Sequence, residues 1–253
     1  MTLLHHKIRG QGKPIVLIHG LLGSLENLGM VAKPLSEERQ VISIDVRNHG
    51  SSFHQNSMRY DELAADVIAL LDHLGIEKAD ILGHSMGGKI AMEIALNHPA
   101  YVDKLIVADI APVAYPAHHQ KIIEGLLAIN TTPPANRKAA DEMLAHYVET
   151  LGVRQFLLRN LAQDGDVVRL KCNIENIANC YPDIMTAYEG DNHFDGETLF
   201  IKGGDSDYIT AEHREIIVKL FPNSRAKIIS GAGHWLHAEK TIAFNKIVTD
   251  FLI

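Results

Sequence analysis

Residues 80–88 read Asp80-Ile81-Leu82-Gly83-His84-Ser85-Met86-Gly87-Gly88. An apolar strand runs into a serine between glycines, and the pattern Lys89 to Leu96 that follows is helical. Gly-x-Ser-x-Gly in a strand–turn–helix context is the signature of a nucleophile elbow. The glycines let the backbone turn sharply, and the serine Oγ is presented above a sheet at the positive end of the next helix. Ser85 is therefore the candidate nucleophile.

Working outward from the elbow, short aliphatic runs recur. Pro14 to His19, Val41 to Asp45, Asp80 to Gly83, Lys104 to Asp109, Thr198 to Ile201 and Ala226 to Ile229 are each apolar on both alternating faces. A parallel sheet covered on both sides needs strands of this kind. Between them, Tyr60 to Leu74 places Leu63, Val67, Leu70, Leu71 and Leu74 at helical spacing, and Gly75 stops the run. Alternating strands and helices predict a three-layer α/β fold with a mostly parallel, doubly wound sheet.

The alternation lapses between Val113 and Ala187. Ile122–Ile129, Arg137–Thr150 and Val153–Leu161 are helix candidates there, with no convincing strand, and Pro112, Pro116, Pro133 and Pro134 punctuate the entry. The division expected is a core of residues 1–112 and 188–253, with 113–187 inserted as a helical cap over the strand ends.

Two further segments carry chemistry. Gly231-Ala232-Gly233-His234-Trp235 follows the last strand, and a histidine in a glycine-flanked loop at a strand end can take a serine's proton and return it to a leaving group. His237 lies three residues on and belongs to the following helix. After the first apolar strand stands His19-Gly20-Leu21-Leu22-Gly23.

Together these motifs resemble the α/β-hydrolase superfamily over essentially the whole chain. Asp45-Val46-Arg47-Asn48-His49-Gly50 narrows the resemblance. It is similar to a branch of bacterial esterases, related to a mitochondrial hydrolase group, with D-x-R-N-H-G where many relatives have D-x-R-G-x-G. The resemblance implies hydrolysis of short-chain esters and, in some members, acyl-CoA thioesters. It also implies an oxyanion hole built from the amides of Leu21 and Met86. His49 reads as a residue that shapes the site without touching the chemistry.

In most relatives the triad acid sits in a G-x-x-D turn after the penultimate strand. Here that turn is Gly203-Gly204-Asp205-Ser206-Asp207, with Ser206 in the acid's slot. Asp109 ends the strand after the nucleophile helix, and carboxyl ends of strands face the crevice of such sheets. Some superfamily members place their acid at this position. Asp109 is the leading candidate with Ser206 as its hydrogen-bond support, and Asp205 and Asp207 remain alternatives.

The composition excludes other classes. With 253 residues, 46% of them hydrophobic, the chain can bury one sizeable core. A net charge of −7 disfavours nucleic acid and anionic membranes as partners. No run approaches the length of a membrane span, and Cys172 and Cys180 read as free thiols of a cytoplasmic protein. The adjacent pairs His5-His6 and His118-His119 lack ligand spacing, so no metal is expected, nor any other cofactor. The function expected is a serine esterase for short to medium acyl chains, its partner a small acyl ester or thioester. An acyl chain would lie against Leu22, Ile110, Val113 and Trp235. Arg47, Lys89, Arg154, Arg159 and Arg169 are cations that could meet CoA phosphates, although a solvated face explains them equally well. An acyl-CoA thioesterase and a ligand-binding receptor on the same fold are the alternatives. The residues leave oligomeric state open.

Overall fold

The computed structural model describes residues 2–253. In chain order its strands are β1 (His6–Arg9), β2 (Pro14–Ile18), β3 (Gln40–Ile44), β4 (Ala79–His84), β5 (Val102–Ala108), β6 (Leu161–Asp164), β7 (Val167–Leu170), β8 (Thr198–Gly203) and β9 (Ser224–Ile229). Among the described residues, seven of them form one sheet in the order β1-β3-β2-β4-β5-β8-β9, parallel except for β1. Because side chains alternate across a strand, each central strand feeds two cores. Val16, Ile18, Ile81, Leu105 and Val107 pack on one face with Leu63, Val67 and Ile90 from the helices Tyr60–His73 and Met86–Asn97. Ile15, Leu17, Leu82, Ile106 and Ala108 pack on the other with Phe244 and Val248 of the helix Thr241–Leu252. This is the expected three-layer α/β arrangement.

Two features depart from the sequence reading. β1 was not expected, because His6–Arg9 is an edge strand, mostly exposed and without an apolar run to reveal it. The segment between β5 and β8 is not purely helical. Its helices Gln120–Thr131, Arg137–Ala145 and Leu151–Leu157 are followed by the antiparallel hairpin β6–β7. The expected Val153–Leu161 helix ends at Leu157, and the expected Arg137–Thr150 helix ends at Ala145. Gly165, at φ +60°, opens the two-residue turn of the hairpin, a Gly-Asp signal of the kind that favours such turns. Cys172 lies just beyond the hairpin and Cys180 ends the short helix Ile174–Asn179; both are buried and free.

The inserted segment is tied to the loops at the carboxyl ends of the strands. The Asn160 side-chain amide donates to the Leu22 carbonyl, Asn173 N–H to the Asn48 carbonyl at 2.8 Å, and the Tyr60 hydroxyl to the Ile184 carbonyl at 2.7 Å. No described helix is long and apolar enough to cross a membrane.

Candidate active site

Ser85 stands between β4 and the helix Met86–Asn97, at φ 54° and ψ −121°. Only close backbone approach permits this turn. A Cβ on Gly83 would lie 2.0 Å from the Gly87 carbonyl oxygen, and one on Gly87 2.3 Å from that of Ile18. Among the described residues the other non-glycine residues at positive φ are Leu22, Asn48 and Asp109. Leu22 and Asp109 follow β2 and β5, and Asn48 lies in the loop after β3, so the unfavourable conformations gather around one place. Each costs about 1–3 kcal/mol, a cost that the surrounding contacts must offset.

The structure brings Ser85, His234 and Asp109 into one hydrogen-bonded chain. The Ser85 hydroxyl donates to His234 Nε2 at 2.9 Å, and His234 Nδ1–H donates to Asp109 Oδ2 at 2.8 Å. Asp109 is fully buried and also accepts Gly203 N–H on Oδ1 at 2.9 Å and the Ser206 hydroxyl on Oδ2. With its acceptors filled in this way, the carboxylate fixes the His234 tautomer that leaves Nε2 free to take the serine proton. Asp205 and Asp207, the alternatives for the acid, are exposed on the turn, and the His234 ring bonds to Asp109 and Ser85 rather than to either of them.

Around this chain lie neutral, buried imidazoles that a motif search passes over. His84 donates from Nε2 to the His234 carbonyl at 2.8 Å and so holds the backbone of the histidine loop. His237 sits in the short helix Leu236–Glu239, its ring edge-on to His84 at 4.4 Å. The Tyr208 ring stacks on His234 at 3.7 Å and 16°. Tyr208 had no signal beyond its place two residues past Ser206.

His19 accepts Val46 N–H and donates to the Gly20 carbonyl, whereas His49 accepts Leu22 N–H at 3.1 Å and donates to the Arg47 carbonyl. The Asp45 carboxylate accepts the Leu25 and Ser51 amides and His5 Nδ1–H. Burial alone would raise its pKa; the Leu25 and Ser51 amides, with His19 and His5, outweigh it and keep the group below the ordinary carboxylate value. The Asp45–Gly50 segment thus acts as a brace for the loop Gly20–Leu25.

Leu21 and Met86 flank Ser85, and neither amide donates in the turn and loop hydrogen bonds. Two narrow lobes of about 40 and 30 Å³ meet at Ser85. One contains His234, Trp235, Leu22, Val153 and Phe156; the other contains Met86, Ile110, Tyr115, Tyr208 and Met185. Leu21 and His119 line both. Leu22, Ile110 and Trp235 therefore reach the cavity, but Val113 does not. Lys89 explains why. This buried lysine donates to the Val113 carbonyl at 2.8 Å and to the Thr186 carbonyl, beside the Tyr115 ring, so it fastens both ends of the inserted segment. Burial lowers its pKa to about 8. A larger groove of about 560 Å³ lies beyond Lys89 and Tyr60 and contains none of the three linked side chains.

The cations proposed for CoA phosphates are mostly committed elsewhere. Arg47 is held by Asp66 and Glu62, Lys89 by the two carbonyls, Arg154 by Asp141 and Arg169 by Asp164; Arg159 is exposed.

The buried histidines make stability depend on pH. Burial first, then the neighbouring His19, lowers His49 from 6.5 to about 3, and burial first, then His234, lowers His237 to about 4. Above pH 6.5 both folded and unfolded forms are neutral. Below it the unfolded chain takes protons that the folded chain refuses, so stability falls with pH until the folded pKa is reached. Each such histidine contributes about 1.4 kcal/mol per pH unit. Urea unfolding between pH 7.5 and 5 is expected to show this decline, with His49→Gln and, separately, His237→Leu each removing about one histidine's share. Unchanged slopes in both variants would contradict the assignment.

A serine at a strand–helix elbow, hydrogen-bonded to a histidine that is itself bonded to a buried carboxylate, is an arrangement capable of nucleophilic attack by the serine oxygen. The family model for the alpha/beta hydrolase fold matches residues 13–241, and the chain belongs to that family. It is 38% identical over 240 residues to the Escherichia coli esterase YbfF, covering 94% of this chain and 92% of that one. It is 38% identical over 253 residues to the sn-1-specific diacylglycerol lipase ABHD11 of Xenopus tropicalis, covering 95% and 78%. A solved structure of a marine microorganism esterase, 37% identical, superposes with a TM-score of 0.96 and covers 99% of this chain and all of that one.

Proposed function

We propose that Ser85 attacks the carbonyl of a small ester while His234 Nε2 takes its proton, giving an acyl-enzyme that water then hydrolyses. The chain is a carboxylic-ester hydrolase, and the observation that carries this mechanism is the hydrogen-bonded chain from Ser85 through His234 to buried Asp109. The Leu21 and Met86 amides receive the developing oxyanion, and Ser206 supports the acid. His234 must protonate the departing alkoxide, so the alcohol part occupies the lobe that contains His234, and the acyl part lies against Met86, Ile110 and Tyr115. Residues 113–187 act as the cap that closes both lobes. Their narrowness supports short acyl chains.

The commitment of Arg47, Lys89 and Arg154 to internal partners, which leaves Arg159 and the surface-paired Arg169 as the accessible cations of the set, favours simple esters over acyl-CoA thioesters. Two buried free thiols fit a cytoplasmic protein. A series of p-nitrophenyl esters from acetate to palmitate, run beside acyl-CoAs, tests the reading. Multiple turnovers are expected, with kcat/KM highest for acyl chains of about two to six carbons, since each further methylene must enter a lobe already close to filled. Turnover confined to acyl-CoAs would overturn the preference for simple esters, and binding without turnover would make the protein a receptor.

A further inference from the structure

The cap contributes one polar side chain to the junction of the two lobes, His119, at the start of the helix Gln120–Thr131. Its tautomer follows from its neighbours. The Tyr181 hydroxyl oxygen accepts the backbone N–H of His118 at 3.2 Å and that of His119 at 3.1 Å. Its lone pairs are thus engaged, and its own proton goes to the remaining partner, His119 Nδ1, at 2.8 Å. Nδ1 is therefore an acceptor, and the neutral ring carries its proton on Nε2. That atom makes no hydrogen bond within the described residues. The ring stays neutral at ordinary pH, since burial first, then His118 and His234, lowers it to about 4. The result is a fixed donor, held by a buried tyrosine, in a lobe where Ile122, Val153, Phe156 and Trp235 are apolar neighbours and Asn27, His19, His84, His234 and His237 supply the other polar lining.

We infer that His119 is a specificity-determining residue whose Nε2–H donates to a hydrogen-bond acceptor in the alcohol part of the substrate, selecting ether- or hydroxyl-bearing alkyl esters over plain alkyl esters. The inference rests on the esterase reading and on placing the alcohol in the lobe of His234. An unpartnered donor beside these apolar side chains disfavours a purely hydrocarbon alcohol, because binding such a group strips water from the N–H without replacing the bond. The selectivity does not vary between pH 6 and 9, since the ring does not titrate there.

The test compares 2-methoxyethyl acetate with butyl acetate, which differ by an oxygen in place of a methylene, in wild type and in His119→Phe. Taking the ratio of the two kcat/KM values in each protein cancels the intrinsic reactivity of the esters. The ratio is expected to be about 3- to 10-fold higher in wild type than in the variant. His119→Gln, which keeps a terminal N–H, should restore part of it. Tyr181→Phe should lower it and populate the second tautomer, seen directly as a change in the long-range ¹⁵N–¹H pattern of the His119 ring. Equal ratios in wild type and His119→Phe would overturn the inference. So would the same change appearing only for an acyl-side pair, methyl methoxyacetate against methyl butanoate. Wild-type protein inactive on every one of these esters would instead mark failure of the esterase reading on which the inference stands.

Discussion

Replacing Ser85 by alanine is expected to lower ester turnover by about 10⁴-fold or more while leaving the fold and thermal midpoint close to wild type. The hydroxyl is the only group lost, and its single side-chain hydrogen bond is the one to His234. The helix after it is held by Ile90, Ile94 and Leu96, which the substitution does not touch. Relief of some strain at φ 54° is not expected, since alanine meets the same backbone restriction as serine. A variant that keeps more than about a hundredth of the rate would mean that the nucleophile lies elsewhere. His234→Ala should be comparably damaging, and His237→Ala much less so, because His237 faces His84 rather than the serine.

The second large effect is expected from Asp109→Asn. The amide preserves the shape and can still accept Gly203 N–H on its oxygen. It replaces one carboxylate oxygen with a donor nitrogen, which in that rotamer takes the place of Oδ2 and faces both His234 Nδ1 and the Ser206 hydroxyl, and in the flipped rotamer faces Gly203 N–H. If the nitrogen faces the histidine, Nδ1 becomes an acceptor and Nε2 carries the proton, so it can no longer take the proton of Ser85. In either arrangement the negative charge that balances the developing imidazolium is gone. Turnover should fall by about 10³- to 10⁴-fold. Ser206→Ala removes a neutral donor from the same carboxylate and should cost about 10-fold, read as kcat on a p-nitrophenyl ester. Asp205→Asn and Asp207→Asn should stay within about 2-fold of wild type, since both side chains are exposed. An Asp205 or Asp207 variant as damaging as Asp109→Asn would contradict the geometry.

Much of this was legible before any coordinates. The sheet could be read because β2, β4, β5 and β8 are buried on both faces and so written as unbroken aliphatic runs. The elbow could be read because only glycine fits beside the serine. Other parts left no such mark. β1 is an edge strand whose register comes from pairing with β3 rather than from burial of its side chains. The hairpin β6–β7 is small and amphipathic, and Leu158 to Leu161 continued the helical period past the true end at Leu157. Val113 was apolar in the right neighbourhood, but its carbonyl is held by Lys89 and its side chain stays out of the cavity. Lys89 itself, the lone cation of the helix Met86–Asn97, was the visible sign of a buried fastening. Tyr208, His84 and His119 act through stacking, backbone contact and tautomer, and none of these has a spacing in the sequence.

The central claim is that Ser85 carries the acyl group, and intact-protein mass spectrometry during turnover tests it most directly. Quenching the reaction of wild-type protein with a p-nitrophenyl ester in acid should trap a species heavier by one acyl group, and peptide mapping should place the added mass on Ser85. A fluorophosphonate, which loses fluoride to leave a phosphonyl group on the serine oxygen, should label Ser85 in His234→Ala only at a strongly reduced rate, because the serine is then no longer activated. An acyl group found on another residue, or Ser85→Ala protein that still forms the adduct and turns over the ester, would contradict the account.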